Sequence, residues 1–401
     1  MLTNFARLRD VMKDEKLDAI VGTCAENVTY LSGFWALSQW VRRGPQAYAL
    51  HTADGRPGAV IANSGVVDLI ADQEIWVEDI RRYGFFQVDI DKTASLSRED
   101  QRQARLLQMP AYKGPAEALC AALKDRGLGK ARIGVDEQGI TPQCWDRLRA
   151  MIPDAELVRA FALMEKVRAI KMPEEIVRLR EAARISCLSV EAALAAARPG
   201  ITEREMLRVF QRTTVEHDAN PVTNCIGFGD RSAMSNVQPS DRALRRGDTM
   251  RFDVGCRYRH YRSDISRTGF FGDPPAKLLA YYRALQKGVL CAYDIIKPGR
   301  RVTDLFDRVV DTVRREGIPH YRRSHVGHGI GVDGYDPPNL GPGCDAALEE
   351  NMVLCVETPY YELGFAGLQV EDMLRVTRDG AESLMPLGTE LRVIGCGAQG
   401  Q

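Results

Sequence analysis

Over the first 155 residues the apolar positions alternate between two periods. Leu8, Val11, Met12 and Leu17 recur at helical spacing, and the apolar run 19–21 behind them has the length of a short strand. Residues 47–51 and 58–62 are apolar runs flanking a polar connection that contains Asp54-Gly55, which predicts a hairpin. Residues 89–108 are polar and show no clear period, so a long loop or insertion is expected there. Residues 132–135 read as a strand and 141–151 as a helix. The pattern predicts a small α/β domain over residues 1–158.

A second domain is expected over 159–401. Pro173-Glu174-Glu175 puts proline and two acids in a first helical turn, where the missing N–H and the helix dipole favour them. Ile176, Leu179, Ala183, Cys187, Val190 and Leu194 then mark one apolar face, ended by Pro199-Gly200. Thr202 with Glu205 forms a capping box for the next helix. The phrase recurs about a hundred residues later: Ala197-Arg198-Pro199-Gly200 before Thr202-Glu203 is echoed by Ile296-Lys297-Pro298-Gly299 before Thr303-Asp304. A duplicated helix-pair-plus-sheet unit would place a pseudo-twofold cleft between its halves. Pro-Gly ends many helices, so the echo alone does not establish one.

Composition narrows the function. The 401 residues carry 54 Lys+Arg and 54 Asp+Glu, a formal net charge of zero, and give no footprint for nucleic acid or an anionic membrane. No apolar run approaches the roughly 18–20 residues of a spanning helix. The ten cysteines are scattered without a C-x-x-C pair, and the opening residues lack the apolar stretch of a secretory signal, so a cytoplasmic protein with reduced thiols is expected.

Three segments concentrate acids and histidine in strand-like or turn-like sequence. In the first, Asp253 and Asp264 lie eleven residues apart on two runs that read as a strand pair able to bring them alongside each other. The second is Gly327-His328-Gly329-Ile330-Gly331. The third holds Glu357 and Glu371, fourteen apart on two apolar runs expected to be neighbours. A lone Asp before Val-Gly is usually a turn residue, and a lone histidine among glycines is usually just hydrogen-bonded. Buried carboxylates cost several kcal/mol unless paired or metal-bound, and four sharing one site would repel one another without cations. Four carboxylates and one imidazole suit two divalent ions.

These segments resemble the creatinase/prolidase/aminopeptidase P superfamily. Asp253 and Asp264 in FDVGCRYRHYRSDISRT, His328 in GHGIG, and Glu357 and Glu371 match its five metal ligands in order. ENVTYLSGF (26–34) is similar to the family's amino-terminal domain, and VRAIKMPEEIVRLREAARIS (167–186) to the start of its catalytic domain. The resemblance implies an α/β chain, with a creatinase-like amino-terminal domain followed by a pita-bread catalytic domain of two pseudo-twofold halves. It implies two divalent ions, manganese first with cobalt, iron or zinc as alternatives, sharing a hydroxide that attacks a scissile carbonyl. In that scheme Glu357 is both ligand and acid/base. A homodimer is expected on the same ground.

The surroundings depart from the peptidase pattern. Peptidase members carry histidines where this chain has Asn236, Ser324 and Tyr335, and often an arginine where it has Gln369. His325, beside the metal histidine, is a candidate proton relay. Asn236, Tyr335, Tyr361 and Gln369 are candidate substrate contacts, with Tyr360 a further lining residue. In this family the amino-terminal domain of one subunit can reach its partner's site, and Trp40, Arg42 and Arg43 are candidates for that contact. The leading expectation is hydrolysis of a C–N bond in an Xaa-Pro dipeptide, a short peptide or another small amide. The alternatives are the superfamily's lyase branch, which cleaves dimethylsulfoniopropionate by β-elimination, and a binding protein that has lost catalysis. The five intact ligands argue against the latter, and against the metal-free creatinase subfamily.

Overall fold

The computed structural model describes residues 2–35, 47–91 and 93–395. The chain divides into two compact units, Met1–Arg168 and Ala169–Gln401. The sequence pattern sets the junction ten residues earlier, but the helix Phe161–Arg168 packs on the opening helix Phe5–Asp14 and so groups with the first unit. Among the described residues no helix is long and apolar enough to cross a membrane.

In the first unit six strands, β1 (Ala19–Gly22), β2 (Ala47–Thr52), β3 (Ala59–Asn63), β4 (Asp79–Tyr83), β5 (Arg132–Val135) and β6 (Glu156–Arg159), form one sheet in the order β4-β3-β2-β1-β5-β6. The hairpin expected around Asp54-Gly55 is β2/β3, and Gly55 takes a φ of 78° in its turn. Residues 98–108 differ from the expected loop. They form the helix Arg98–Gln108, started by a Ser97/Asp100 capping box. Only Leu106 is buried, so the helix lies on the surface, and its helical period is carried by charged and polar residues with few apolar ones to mark it.

The second unit holds two helix pairs, Pro173–Ala195 with Glu203–Glu216, and Ala276–Ile295 with Val302–Glu316. Its strands are β7 (Asn220–Phe228), β8 (Asp248–Tyr258), β9 (Tyr261–Arg262), β10 (Ile265–Phe271), β11 (Gly327–Gly329), β12 (Asp336–Asn339), β13 (Val353–Glu357), β14 (Tyr360–Glu362), β15 (Ala366–Leu368), β16 (Glu371–Val376), β17 (Ala381–Ser383) and β18 (Arg392–Ile394). The main sheet runs β12-β11-β13-β16-β10-β8-β7, with β14 and β15 as a separate ribbon. The duplication hinted at by the repeated Pro-Gly is visible in the backbone bonds. Gly200 N–H donates to Leu244 O and Leu244 N–H to Ile201 O; in the second half Gly299 N–H donates to Leu348 O and Leu348 N–H to Arg300 O.

Strand alternation sorts the side chains. On β13 Leu354 and Val356 join the core cluster that contains Leu285, Val289 and Val309 of the second helix pair. Their neighbours Cys355 and Glu357 therefore point to the other face. The same alternation in Met250-Arg251-Phe252-Asp253-Val254 puts Arg251 and Asp253 on one side of β8. Arg267 of β10 is fully buried, and all five of its N–H groups are engaged. They reach Gly388, Ser266, Glu371 and Leu387 carbonyls and Asp372 Oδ1. This guanidinium ties β10 to the strand that begins at Glu371.

A second buried polar cluster pins the connection after β11. Lys171 Nζ lies 3.9 Å from Asp336 Oδ2, both side chains almost wholly enclosed. Tyr261 O–H donates to Glu175 Oε1 at 3.0 Å and Met172 N–H to Oε2 at 2.7 Å. Burial pushes the Glu175 pKa up to about 8 from 4.5, against the pull of the Met172 N–H and of Lys171. A carboxyl whose pKa is raised in the folded state stabilises the fold fully below its unfolded value, and loses that contribution as pH climbs through the folded one. The melting temperature is therefore expected to fall by about 5 °C or more between roughly pH 5 and 9. Glu175→Gln should flatten that slope. An unchanged slope in the variant would remove Glu175 as its source.

Candidate metal centre

Five adjacent strands each deliver one of the five expected ligands. The β8/β10 register pairs Asp253 with Ser266, and Asp264 directly precedes β10. The turn between is built by Arg259 and His260, both at positive φ (43° and 79°), and not by glycine. Glycine acts one step further on: a Cβ at Gly255 would stand 2.0 Å from Ser263 O, so only glycine lets the chain before Asp264 lie against β8. His328 on β11 stands opposite Cys355 on β13. Gly327 before it has φ 133° and would drive a Cβ to 1.9 Å from Cys355 O. Glu357 and Glu371 are direct cross-strand partners.

Asp253, Asp264 and Glu371 offer oxygens that all lie within 4.8 Å of one another, and so do the ligating atoms of His328, Cys355 and Glu371. Glu371 belongs to both groups and stands where it could bridge two ions. His328, Glu357 and Glu371 are buried, whereas Asp253 keeps a fifth of its side-chain surface toward the cleft.

The electrostatics point the same way. Burial, reinforced by Asp253 and Glu357, holds the Asp264 carboxyl well above its ordinary range; burial and then Asp264 do the same to Glu371. Asp253 is raised by burial against the opposing Arg251. Among the described residues Asp264 Oδ1 is buried with no hydrogen-bond partner. His328 is pushed down to about 4 by burial and is a neutral imidazole. Its Nδ1 lies 2.9 Å from Gly329 O, a group that can only accept, so the proton sits on Nδ1 and the Nε2 lone pair is free for a ligand. An oxygen-rich set whose members cannot all ionise together, an orphaned carboxylate oxygen and an imidazole in the ligating tautomer fit divalent cations.

Around this cluster Gln369 is the hub. Its Oε1 accepts from Arg251 Nη1 at 2.8 Å and Tyr361 O–H at 3.3 Å, while its Nε2 donates to Glu357 Oε2 at 3.2 Å. Tyr335 stacks on the His328 ring with centroids 3.9 Å apart, and is itself 66% exposed. His325 Nδ1 is 3.2 Å from Glu357 Oε1 and also accepts the Gly327 N–H at 3.3 Å. Burial lifts Glu357 to about 7, against the pull of Arg323, and burial lowers His325. Asn236 is exposed, and among the described residues its side chain makes no hydrogen bond to the cluster. Ser324 is also exposed. Tyr360 points away from Tyr361, to His320 and Tyr281, because neighbours on a strand face opposite sides. Trp40, Arg42 and Arg43 lie outside the described residues.

Three residues here escaped the sequence reading. Arg251 is fully buried and all five of its N–H groups are engaged. They reach Ser232, Met234 and Ser235 carbonyls, Asp253 Oδ2 and Gln369 Oε1. Its signal was a charge two positions before Asp253 in an otherwise apolar strand. Arg323 has Nη2 3.7 Å from Glu357 Oε1, and Cys355 sits opposite His328. Neither stands out without the register.

Comparisons with known proteins show the family and the fold. The model of metallopeptidase family M24 matches residues 177–378, and that of the creatinase/prolidase N-terminal domain matches residues 5–170. A putative dipeptidase of Bacillus subtilis, YkvY, is 28% identical over 285 residues, 71% of this chain and 78% of its own. A solved Xaa-Pro dipeptidase from Bacillus anthracis superposes with a TM-score of 0.78 at 24% identity, covering 97% of this chain and 98% of the other. A dipeptidase from Pyrococcus horikoshii gives 0.79 at 20% identity, covering 97% and 99%. With half of its length matched by the family model, the chain belongs to metallopeptidase family M24 and is a metal-dependent hydrolase of the peptidase type.

Proposed function

We propose that this chain is a dinuclear, manganese-dependent Xaa-Pro dipeptidase that cleaves the C–N bond of short peptides. The convergence of Asp253, Asp264, His328, Glu357 and Glu371 from five neighbouring strands carries the reading. The likeness to a putative dipeptidase and the fold shared with Xaa-Pro peptidases support it. In the same proposal the enzyme is a cytoplasmic homodimer.

Two divalent ions held by the five ligands would supply an acidified water and a Lewis acid for the scissile carbonyl. The protein's own part is proton traffic and orientation. Glu357 can take the proton of the attacking water and return it to the leaving nitrogen, with His325 as its neighbouring relay at 3.2 Å. Gln369 Nε2 donates to the Glu357 carboxyl and restrains it, and Arg251 holds Asp253 and Gln369 together. Tyr335 and Tyr361 line the approach.

Proline release from a panel of Xaa-Pro dipeptides by manganese-loaded protein tests the assignment. Saturable release is expected, with Asn236, Ser324, Tyr335 and Gln369 tolerated in a working peptidase. Metal-loaded protein that releases no proline from any of them would contradict it.

A further inference from the structure

The two ligand groups meet at Glu371 but differ in chemistry. Asp253, Asp264 and Glu371 offer oxygen alone, whereas His328, Cys355 and Glu371 offer nitrogen, sulfur and oxygen. Glu357 belongs to neither group. Its carboxyl is turned to Gln369 Nε2 at 3.2 Å and to His325 Nδ1 at 3.2 Å. The third donor beside His328 and Glu371 is therefore the Cys355 thiol, which the five-residue ligand pattern does not contain.

Register puts the sulfur there. Leu354 and Val356 face the helical core, so Cys355 shares the opposite face of β13 with Glu357. Cys355 stands directly across from His328 on β11, and one step along the same face Glu357 stands across from Glu371. The cysteine is fully buried, and its Sγ lies 3.6 Å from Asp264 O, a weak contact for a weak donor. Donors around one zinc ion, at bond lengths of about 2.0–2.3 Å, stand roughly 3.3–3.8 Å apart. Three donors within 4.8 Å of one another fit a common ion. Asp264 Oδ1, buried and without a hydrogen-bond partner among the described residues, and the free Nε2 lone pair of His328 point to cations in the same centre.

We infer that Cys355 is a metal ligand and that the centre holds two unlike ions. The all-oxygen position suits a hard cation such as manganese. The position at His328, Cys355 and Glu371 suits a borderline one, zinc first. This rests on the dinuclear reading above and deepens it, by giving each position its own class of metal. On binding, the thiol proton passes to solvent and the sulfur ligates as thiolate, with no change of oxidation state. Manganese offered alone fills both positions, the sulfur-bearing one more weakly.

The test titrates chelator-treated full-length protein, kept reduced, with cobalt(II) as a coloured probe for zinc. A sulfur-to-cobalt charge-transfer band is expected in the near ultraviolet, with the intensity of a single cobalt–thiolate bond. Cys355→Ser should lose the band, whereas Cys344→Ser, at a half-buried cysteine outside the centre, should keep it. By calorimetry, zinc should bind Cys355→Ser at least about tenfold more weakly than the parent, with manganese affinity at the all-oxygen position unchanged within about threefold. A band absent from cobalt-loaded parent protein, or kept by Cys355→Ser, would overturn the assignment and leave the cysteine a packing residue. Should Cys355→Ser not fold, X-ray absorption at the zinc edge of parent protein carrying one zinc per chain decides. One sulfur at about 2.3 Å upholds the ligand, and a shell of nitrogen and oxygen alone overturns it. A parent protein that binds neither cobalt nor zinc would sink the dinuclear reading itself, and the sulfur ligand with it.

Discussion

Glu357→Ala protein is expected to cleave its peptide substrate at least about 10³-fold more slowly than the parent chain while remaining folded. The substitution removes one of the five proposed ligands and the proposed acid/base group in a single step. It also removes the acceptor of the Gln369 amide and the partner of His325. The fold should not suffer. Glu357 is one of the charges that raise Asp264 and Glu371, so its loss relieves repulsion in the metal-free protein. Glu357→Gln is expected to be nearly as inactive, because the shape is kept and the ionisable oxygen is not. Turnover within tenfold of the parent, in a variant with normal thermal unfolding, would take Glu357 out of the chemistry.

The second large effect is expected from metal removal. Without cations, Asp253, Asp264, Glu357 and Glu371 share one site in which burial and mutual repulsion keep them from ionising together. Cations relieve that repulsion in the folded state alone, so they stabilise it by mass action; at a thousandfold excess over the dissociation constant the gain is about 4 kcal/mol. Dialysis against a chelator is therefore expected to abolish activity and to lower the melting temperature by about 5–15 °C. Manganese should restore both. A melting temperature indifferent to chelator would mean that the carboxylates are satisfied by something other than metal.

Much of this was legible in the sequence because the site is written in strand periodicity. Asp253 and Asp264 could be placed together from two runs of strand length, and Glu357 and Glu371 stood out as acids inside apolar strands. The Pro-Gly echo at 199–200 and 298–299 marked a duplication that the paired backbone bonds of Leu244 and Leu348 bear out. What stayed hidden depends on register and on distance through space. Arg251 showed only as a charge in an apolar strand, Arg323 and Cys355 not at all, and the packing of β8, β13 and Gln369 gives them meaning. The surface helix Arg98–Gln108 was missed for a different reason: with only Leu106 buried, its amphipathic period lies in charged and polar residues and too few apolar ones mark it. Tyr360 and Tyr361 looked equivalent until strand alternation sent one to the cleft and the other to His320.

The measurement that bears most directly on the central claim is proline release from Ala-Pro by chelator-treated protein titrated with manganese. The account predicts no release at the start and a rise that saturates near two ions per chain. Release by the metal-free protein, or none at any manganese concentration, would contradict it.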